Sequence, residues 1–440
     1  MKLFNKINLI FFLFVGILLF LFTIFKSEII HGGLIRSHYY IYYIFAFTII
    51  LLSLLIQLFD EKIRTNINLM LVTSFLLLLI IETLLEFKLH HIFFDNKNFS
   101  PMNQKDFIVK KRKNGDDSFV LRILPGALLP HGLDNSIFPA SGISKKNTVM
   151  CEEGAGMITY LSDRYGFNND DKMWDKNIKA ILIGDSFVNG DCVKRNNTIS
   201  QNLNKFDNKN NFINLGMGGN GPLINLMTLR EYGFLKNPKL ILWFYFEGND
   251  LIELTHENSS KILNNYINDE KFSQNLSNKV KLIDKSLTNI FNKIMSNYNL
   301  IQNFNNSIKR IIIFKNIRGL ANNFLKSYFI INKPDINKFI AIIKRAKLLA
   351  EKNEAIFYFV YLPSYERYSK KVNDDNFLYK NNIINSLNSN NINIIDISEN
   401  VFNKSNDPLS YFPNRKNGHY NDRGYYDVSA FIYKSLFLNE

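Results

Sequence analysis

The chain has 440 residues, 46% hydrophobic and 14% aromatic, which is too long for one ordinary core and ample for burying a sizeable one. Its formal net charge of +14 would suit a nucleic-acid partner, but the lysines are scattered through Asn- and Ile-rich sequence. No Lys/Arg block interleaves with aromatics as a nucleic-acid groove requires, so that class is set aside. The two cysteines, Cys151 and Cys192, form no CxxC pair, which argues against a zinc site or a thioredoxin-like motif.

Three long apolar runs open the chain, at 8–25, 39–59 and 67–87. Each is close to the ~20 residues that cross a hydrocarbon core, and the second begins with tyrosines suited to an interface. No small-residue cleavage site follows the first run and two further runs do, so an anchor is favoured over a cleaved signal peptide. Glu82 is expected near the interface, one turn from Glu86, without a catalytic role. Lys2 and Lys6 flank one side, with Lys62 and Arg64 between the second and third runs; Lys26 and Arg36 oppose them. The positive-inside rule then favours a cytoplasmic N-terminus and an outward-facing remainder, in the periplasm or exterior of a bacterial inner membrane. A Cys151–Cys192 disulfide is expected in that compartment.

Residues 1–91 thus form a three-span region. Residues 92–176 read as a mixed β/loop preface, with β-like runs FIVKK, SFVLRIL and MITYLSD between turn residues. From 177 to 440 buried strands alternate with helices. The strands are Ala180–Ile183, 212–215, the nearly all-apolar run from Lys239, 355–363 and 392–398; helical patterns lie at 198–206, 222–232, 336–352 and 376–388. This alternation predicts an α/β fold with a parallel sheet covered on both faces, and a site at the carboxyl ends of the strands. Residues 257–333 break the alternation. With amphipathic stretches at 280–296 and 300–313, they are expected to be a helical insertion serving as a lid or partner surface.

Four short segments carry the chemistry. Gly184-Asp185-Ser186 follows a strand, where a serine on a sharp strand-to-helix turn combines a nucleophile with backbone N–H donors. The G-x-S-x-G elbow is absent. Asn214-Leu215-Gly216-Met217-Gly218-Gly219-Asn220-Gly221 follows the next strand; its spacing fits neither a Walker loop nor G-x-G-x-x-G with its acid. Gly248-Asn249-Asp250 ends the most apolar strand, and an amide there can donate to a developing oxyanion. The bland reading is a turn in which Asp250 caps a helix. Gly418-His419-Tyr420-Asn421-Asp422 opens the last helix. Of the histidines outside the membrane portion, His131, His256 and His419, His256 follows Asn249 by seven residues and is the second candidate base; His419 is favoured because it follows the last strand, where a loop can return to the serine.

In this order, each after an expected strand, the four segments resemble the SGNH (GDSL-like) hydrolase superfamily over roughly 160–256 and 355–440. The lead-in YLSDRYGFNND is similar to that of a bacterial membrane-anchored subgroup. The resemblance implies a three-layer, flavodoxin-like sheet. It makes Ser186 the nucleophile and His419 the base, with Ser186, Gly219 and Asn249 forming the oxyanion hole. The family places an aspartate two or three residues before the histidine, where this chain has Asn417 and Lys416. Either another carboxylate, Asp422 or Asp396, orients His419, or a dyad operates.

Such a constellation needs no metal or organic cofactor. The expected function is hydrolysis of carboxylic, O-acetyl, esters on an envelope glycan or lipid. The alternatives are an O-acyltransferase for an envelope polysaccharide, needing a separate acyl-donor membrane partner, and a non-catalytic glycan-binding module.

Overall fold

The computed structural model describes residues 1–30, 36–87, 103–133, 136–209, 211–296, 298, 307–320, 334–369 and 379–438. They fall into two compact units, one comprising Met1–Asn98 with Leu300–Ile331 and the other Phe99–Asn299 with Asn332–Glu440. The stretch 257–333, read from sequence as one insertion, is therefore divided between them.

In the first unit, helices α1 (Lys2–Ile24), α2 (Arg36–Leu55) and α3 (Glu61–Glu86) contain the three apolar runs. Two of the three expected spans, Lys2–Ile29 and Glu61–Glu86, are long and apolar enough to cross a membrane. Among the described residues the middle helix has a shorter apolar stretch, Tyr42–Leu58.

The second unit opens with a correction. Phe107–Lys111, read as β-like, lies inside helix α4 (Gln104–Lys113). Asn103 caps it through Oδ1, which accepts the Lys105 N–H at 3.0 Å, and four basic residues fill its last turn, complementing the helix dipole. Strands β1 (Phe119–Leu121), β2 (Asn147–Val149) and β3 (Thr159–Leu161) form a small mixed sheet.

The main sheet has five parallel strands: β4 (Ala180–Ile183), β5 (Phe212–Asn214), β6 (Leu240–Phe246), β7 (Ile356–Leu362) and β8 (Asn393–Asp396). Their order is β5-β4-β6-β7-β8, with Ala180 opposite Leu240 and Leu240 opposite Ile356. Alternation along the strands divides the core. Ile181, Ile183, Trp243 and Tyr245 face one layer with α7 (Pro222–Tyr232) and α11 (Ile336–Lys352). Leu182, Leu242, Phe244 and Val360 face the other, with α6 (Ile199–Phe206) and the final helix α13 (Asp422–Phe437). Helices α8 (Asp250–Glu257), α9 (Lys261–Asn268), α10 (Val280–Ser296) and α12 (Lys380–Asn388) complete the unit. The chain order reverses direction around β4, and such switch points open a crevice at the strands' carboxyl ends.

The lead-in YLSDRYGFNND braces that crevice. Asp163 is fully buried and accepts hydrogen bonds from Tyr165 N, Phe167 N, Asn169 Nδ2 and Trp174 Nε1 at 2.8–3.0 Å. Asn169 in turn bonds both the N–H and the carbonyl of Asn214 at the end of β5. Asn168 Nδ2 donates to the Asn189 carbonyl just beyond Ser186. Asp163→Ala would leave four donors unanswered in a dry site, so a loss of about 3 kcal/mol or more is expected. Thermal unfolding of the detergent-solubilised chain, followed by tryptophan fluorescence, should show a midpoint several degrees lower, with Asp163→Asn intermediate.

Candidate active site

Strand β4 ends at Ile183, and two residues later the chain turns into the four-residue helix α5 (Ser186–Asn189). Asp185 caps it, its Oδ1 accepting the Phe187 N–H at 2.9 Å, and Gly190 closes it at φ +78°. Ser186 is thereby fixed at the first helical position above the sheet. The loop after β5 packs directly on this helix, since a Cβ at Gly216 would come within 2.6 Å of Asn189 N and Val188 Cβ. Only glycine permits that approach, so the second segment is held against the first. Asn249 follows β6 and is the N-cap of α8, but it caps with its backbone carbonyl and not its side chain. Asp250 is no cap; its Oδ2 accepts the Phe246 N–H at 3.1 Å.

Three donors at these strand ends remain uncommitted. Neither Ser186 N nor Gly219 N donates a hydrogen bond among the described residues, and the Asn249 amide makes no capping bond. These are the groups the sequence assigned to an oxyanion hole. The Ser186 hydroxyl has one contact, to Asp185 Oδ2 at 3.4 Å, which is long for a hydrogen bond.

His419 lies between the 3₁₀ turns after β8 and helix α13, and its ring centroid is 5.0 Å from that of Phe187, the residue after the nucleophile. The carboxylate bonded to its ring is neither of those expected from sequence. Asp422 is exposed in the first turn of α13, and Asp396 is engaged by Lys380 Nζ at 2.9 Å and Ser398 Oγ at 2.8 Å. Glu153 takes the position instead. Its Oε1 lies 2.9 Å from His419 Nδ1 and its Oε2 accepts the His419 N–H at 2.9 Å. A Cβ at Gly418 would stand 2.7 Å from Glu153 Oε2, so the glycine before the histidine makes room for the carboxylate. With Nδ1 held by Glu153, Nε2 is the ring nitrogen that this contact leaves available.

Glu153 comes from the preface, two residues after Cys151, on a tight loop closed by the Met150 N to Ile158 O and Ile158 N to Cys151 O bonds. Cys151 and Cys192 are joined as a disulfide with Cα atoms 5.2 Å apart. Cys192 lies just beyond α5, so the bond ties the loop of the acid to the segment of the nucleophile. Cys192 Sγ, a Glu153 oxygen and a His419 nitrogen all lie within 4.8 Å. That is metal-ligand spacing, but a disulfide sulfur offers no thiolate, so the cluster does not suit a metal while the bond stands.

A second preface residue also reaches the site. Arg122 forms a bidentate pair with Asp191 at 2.5 and 2.6 Å, both side chains being buried. Gly218 abuts both partners. Burial works against the Asp191 charge, but Arg122 outweighs it and lowers the pKa, so Asp191 stays ionised. Burial likewise opposes the imidazolium of His419. The Glu153 hydrogen bond and the charges of Asp191, Glu153 and Asp185 override it and raise the pKa above the ordinary value. Asp185 itself is pushed up to about 6 by burial, and burial together with Asp185 raises Asp250 well above the carboxylate range.

Sequence reasoning missed Glu153 and Arg122, which lie in no motif and follow no period. The expected disulfide held the only signal. Pairing Cys151 with Cys192 places Glu153 within a few residues of the nucleophile helix.

No family model matches the chain, and no curated protein matches it. Among solved structures it is similar to a putative lipolytic protein of the G-D-S-L family from Desulfitobacterium hafniense, with 14% identity, 59% of this chain and 100% of that one covered, and a TM-score of 0.33. An acetyl xylan esterase matches at 14% identity over 59% of this chain and 100% of its own, TM-score 0.32. A putative acylhydrolase from Bacteroides fragilis matches at 12% identity over 60% and 92%, TM-score 0.32.

A histidine base must be neutral, so activity should rise as pH climbs through the raised His419 pKa. Glu153→Gln removes the charge and replaces one of the two acceptor oxygens by a donor; kcat should fall by about 10²–10⁴-fold and the acidic limb of the pH profile should move to lower pH. A profile that keeps its limb in place would remove Glu153 from this role. Replacing both cysteines by serine opens a 41-residue loop and should cost about 4 kcal/mol of stability in the chain-entropy account. Its kcat should drop toward that of Glu153→Gln while Ser186 remains reactive to a fluorophosphonate.

Proposed function

We propose that the chain is a membrane-anchored serine esterase of the SGNH type, with Ser186 as nucleophile, His419 as base and Glu153 as orienting acid. The observation that carries this reading is the two-point grip of Glu153 on His419, above the same strand ends that hold Ser186, Gly219 and Asn249. His419 Nε2 takes the proton of Ser186 Oγ as the oxygen attacks an ester carbonyl. The N–H groups of Ser186 and Gly219 and the Asn249 amide receive the developing oxyanion. The imidazolium, stabilised by Glu153, then protonates the leaving alcohol, and water releases the acyl group by the same path. The residues complete this cycle without a cofactor.

The chemistry of the site suits a small carboxylic ester, an O-acetyl group foremost. Anchoring by the apolar helices points to esters of an envelope glycan or lipid as substrate. The disulfide supports an outward-facing, oxidising location for the second unit. The glycan-binding alternative drew its support from the missing aspartate, and Glu153 supplies a carboxylate for that position.

Fluorophosphonate labelling and p-nitrophenyl acetate hydrolysis by the full-length chain test the proposal. Labelling should vanish in Ser186→Ala, and hydrolysis should fall by about 10³-fold or more in both Ser186→Ala and His419→Ala. A folded, disulfide-bonded chain that neither labels nor hydrolyses would overturn it. Release of acetate against its transfer to added sugar then separates esterase from acyltransferase.

A further inference from the structure

The first unit contains a segment that the proposed reaction does not use. Residues 307–312 and 315–320 are two short helical pieces joined at Ile313 and Phe314, the latter at φ +50°. They lie far along the chain from α3 but group with it. The Phe314 ring packs edge-on against Phe75, with centroids 5.7 Å apart. Phe75 lies about 16 Å of helix before the C-terminus of α3, in the middle of its apolar run.

The backbone at the start of the second piece is satisfied by a side chain of α3. Asn316 N and Ile317 N donate to Glu82 Oε1 and Oε2 at 2.7 and 2.8 Å, and Asn316 Nδ2 adds a third bond to Glu82 at 3.0 Å. Glu82 is fully buried. One turn on, Glu86 pairs with Arg310 at 2.7 Å. Two carboxylates in an otherwise apolar helix are thus occupied by N–H donors of one distant segment.

The exposed surface of the segment mixes large aliphatic side chains with the basic Lys309, Lys315 and Arg318. Ile308, Ile312, Ile313 and Leu320 are 42–66% exposed, and so, on the other side of α3, are Leu77 and Ile80 at 57%. From 300 to 331 the sequence has five basic residues, Lys309, Arg310, Lys315, Arg318 and Lys326, and no Asp or Glu. In water this arrangement would expose four large aliphatic side chains while burying an acid. In a bilayer it places the aliphatics in hydrocarbon and the cations at anionic headgroups, with the freed backbone N–H groups answered by protein.

We propose that residues 307–320 form a re-entrant helical hairpin that dips into the bilayer beside α3, with Glu82 as its internal cap. The occupant of its exposed surface is lipid carrying anionic headgroups. The inference rests on the reading of α3 as a membrane helix. It gives Glu82 a structural role and removes this segment from consideration as a lid.

Spin labels on single introduced cysteines test it in the full-length chain, because the native cysteines are joined and take up no label. Ile312→Cys reports the hairpin, Leu77→Cys the face of α3, and Lys285→Cys the exposed surface of α10. Each is placed in vesicles of phosphatidylethanolamine and phosphatidylglycerol after fluorophosphonate labelling confirms a folded chain. The labels at Ile312 and Leu77 should be relaxed several-fold more by dissolved oxygen than by a water-soluble nickel complex, with the reverse at Lys285. A label at Ile312 that behaves like the one at Lys285, while Leu77 remains lipid-like, rejects the hairpin and leaves the anchor standing. A water-like label at Leu77 rejects both.

Discussion

The contact on which the proposed chemistry depends is made by a residue that no part of the main sheet supplies. Glu153 holds His419 at two points, its ring Nδ1 and its backbone N–H. The carboxylate therefore sets the rotamer of the ring, its tautomer and the path of the loop that bears it. It reaches that place because a disulfide joins its loop to the segment just past Ser186. Base and acid come from opposite ends of the second unit, and the nucleophile's own helix is the anchor to which both are referred. In the usual family arrangement the acid precedes the histidine in the same loop, and local backbone geometry alone fixes the pair. Here a covalent bond substitutes for sequence proximity, which makes the alignment of the site conditional on an oxidising surrounding.

The charges around this contact are arranged to favour the imidazolium. Asp191 is kept ionised by Arg122, Glu153 is bonded to the ring, and Asp185 caps the nucleophile helix. Burial alone would push the His419 pKa down, and the three acids together reverse the sign. A more basic imidazole is the stronger proton acceptor once neutral, while the charge it gains as the serine attacks meets carboxylates already in place. Asp185, Asp250 and Glu253 are all raised, the first and last to about 6, chiefly by burial, which at Asp185 outweighs the opposing charge of His419. Near neutral pH the edge of the site therefore has less negative charge than its count of carboxylates suggests.

Much of this was legible in the sequence, and the reasons differ by element. Strands β4 and β6 are continuous apolar runs followed by glycine turns, a pattern that only a doubly covered parallel sheet explains. Helices α7, α10 and α11 have apolar periodicity with a clear start and stop, and their limits match the expected 222–232, 280–296 and 336–352. The same reasoning failed at α4, where Phe107, Ile108 and Val109 favour a strand by propensity. Asn103 and the basic last turn prevail there, as capping often overrides three residues of preference. Glu153 and Arg122 were not legible at all, since a contact across the fold leaves no trace in local spacing. Nor was the division of 257–333, whose two halves have similar composition but different partners.

Glutamates are used in one particular way within each unit. Glu257 accepts the N–H groups of Gly221, Leu223 and Ile224 at the start of α7. Glu231 takes those of Gln274 and Leu276, and Glu247 takes that of Ser364. Each is a buried acid that satisfies backbone donors of a segment remote in sequence, and Glu82 does the same for Asn316 and Ile317. Among the described residues Glu257 and Glu82 are held by amide groups that do not titrate, so their work is structural, whereas Glu247 also engages Arg367 and the Tyr361 hydroxyl and Glu231 the Tyr266 hydroxyl. Glu153 begins the same way, with one oxygen on the His419 N–H, but its other oxygen goes to a ring nitrogen that does titrate. That partner is what suits Glu153 to the proposed role of orienting acid. Amide partners also explain why Glu82, for all its burial in an apolar helix, needs no catalytic task to account for it.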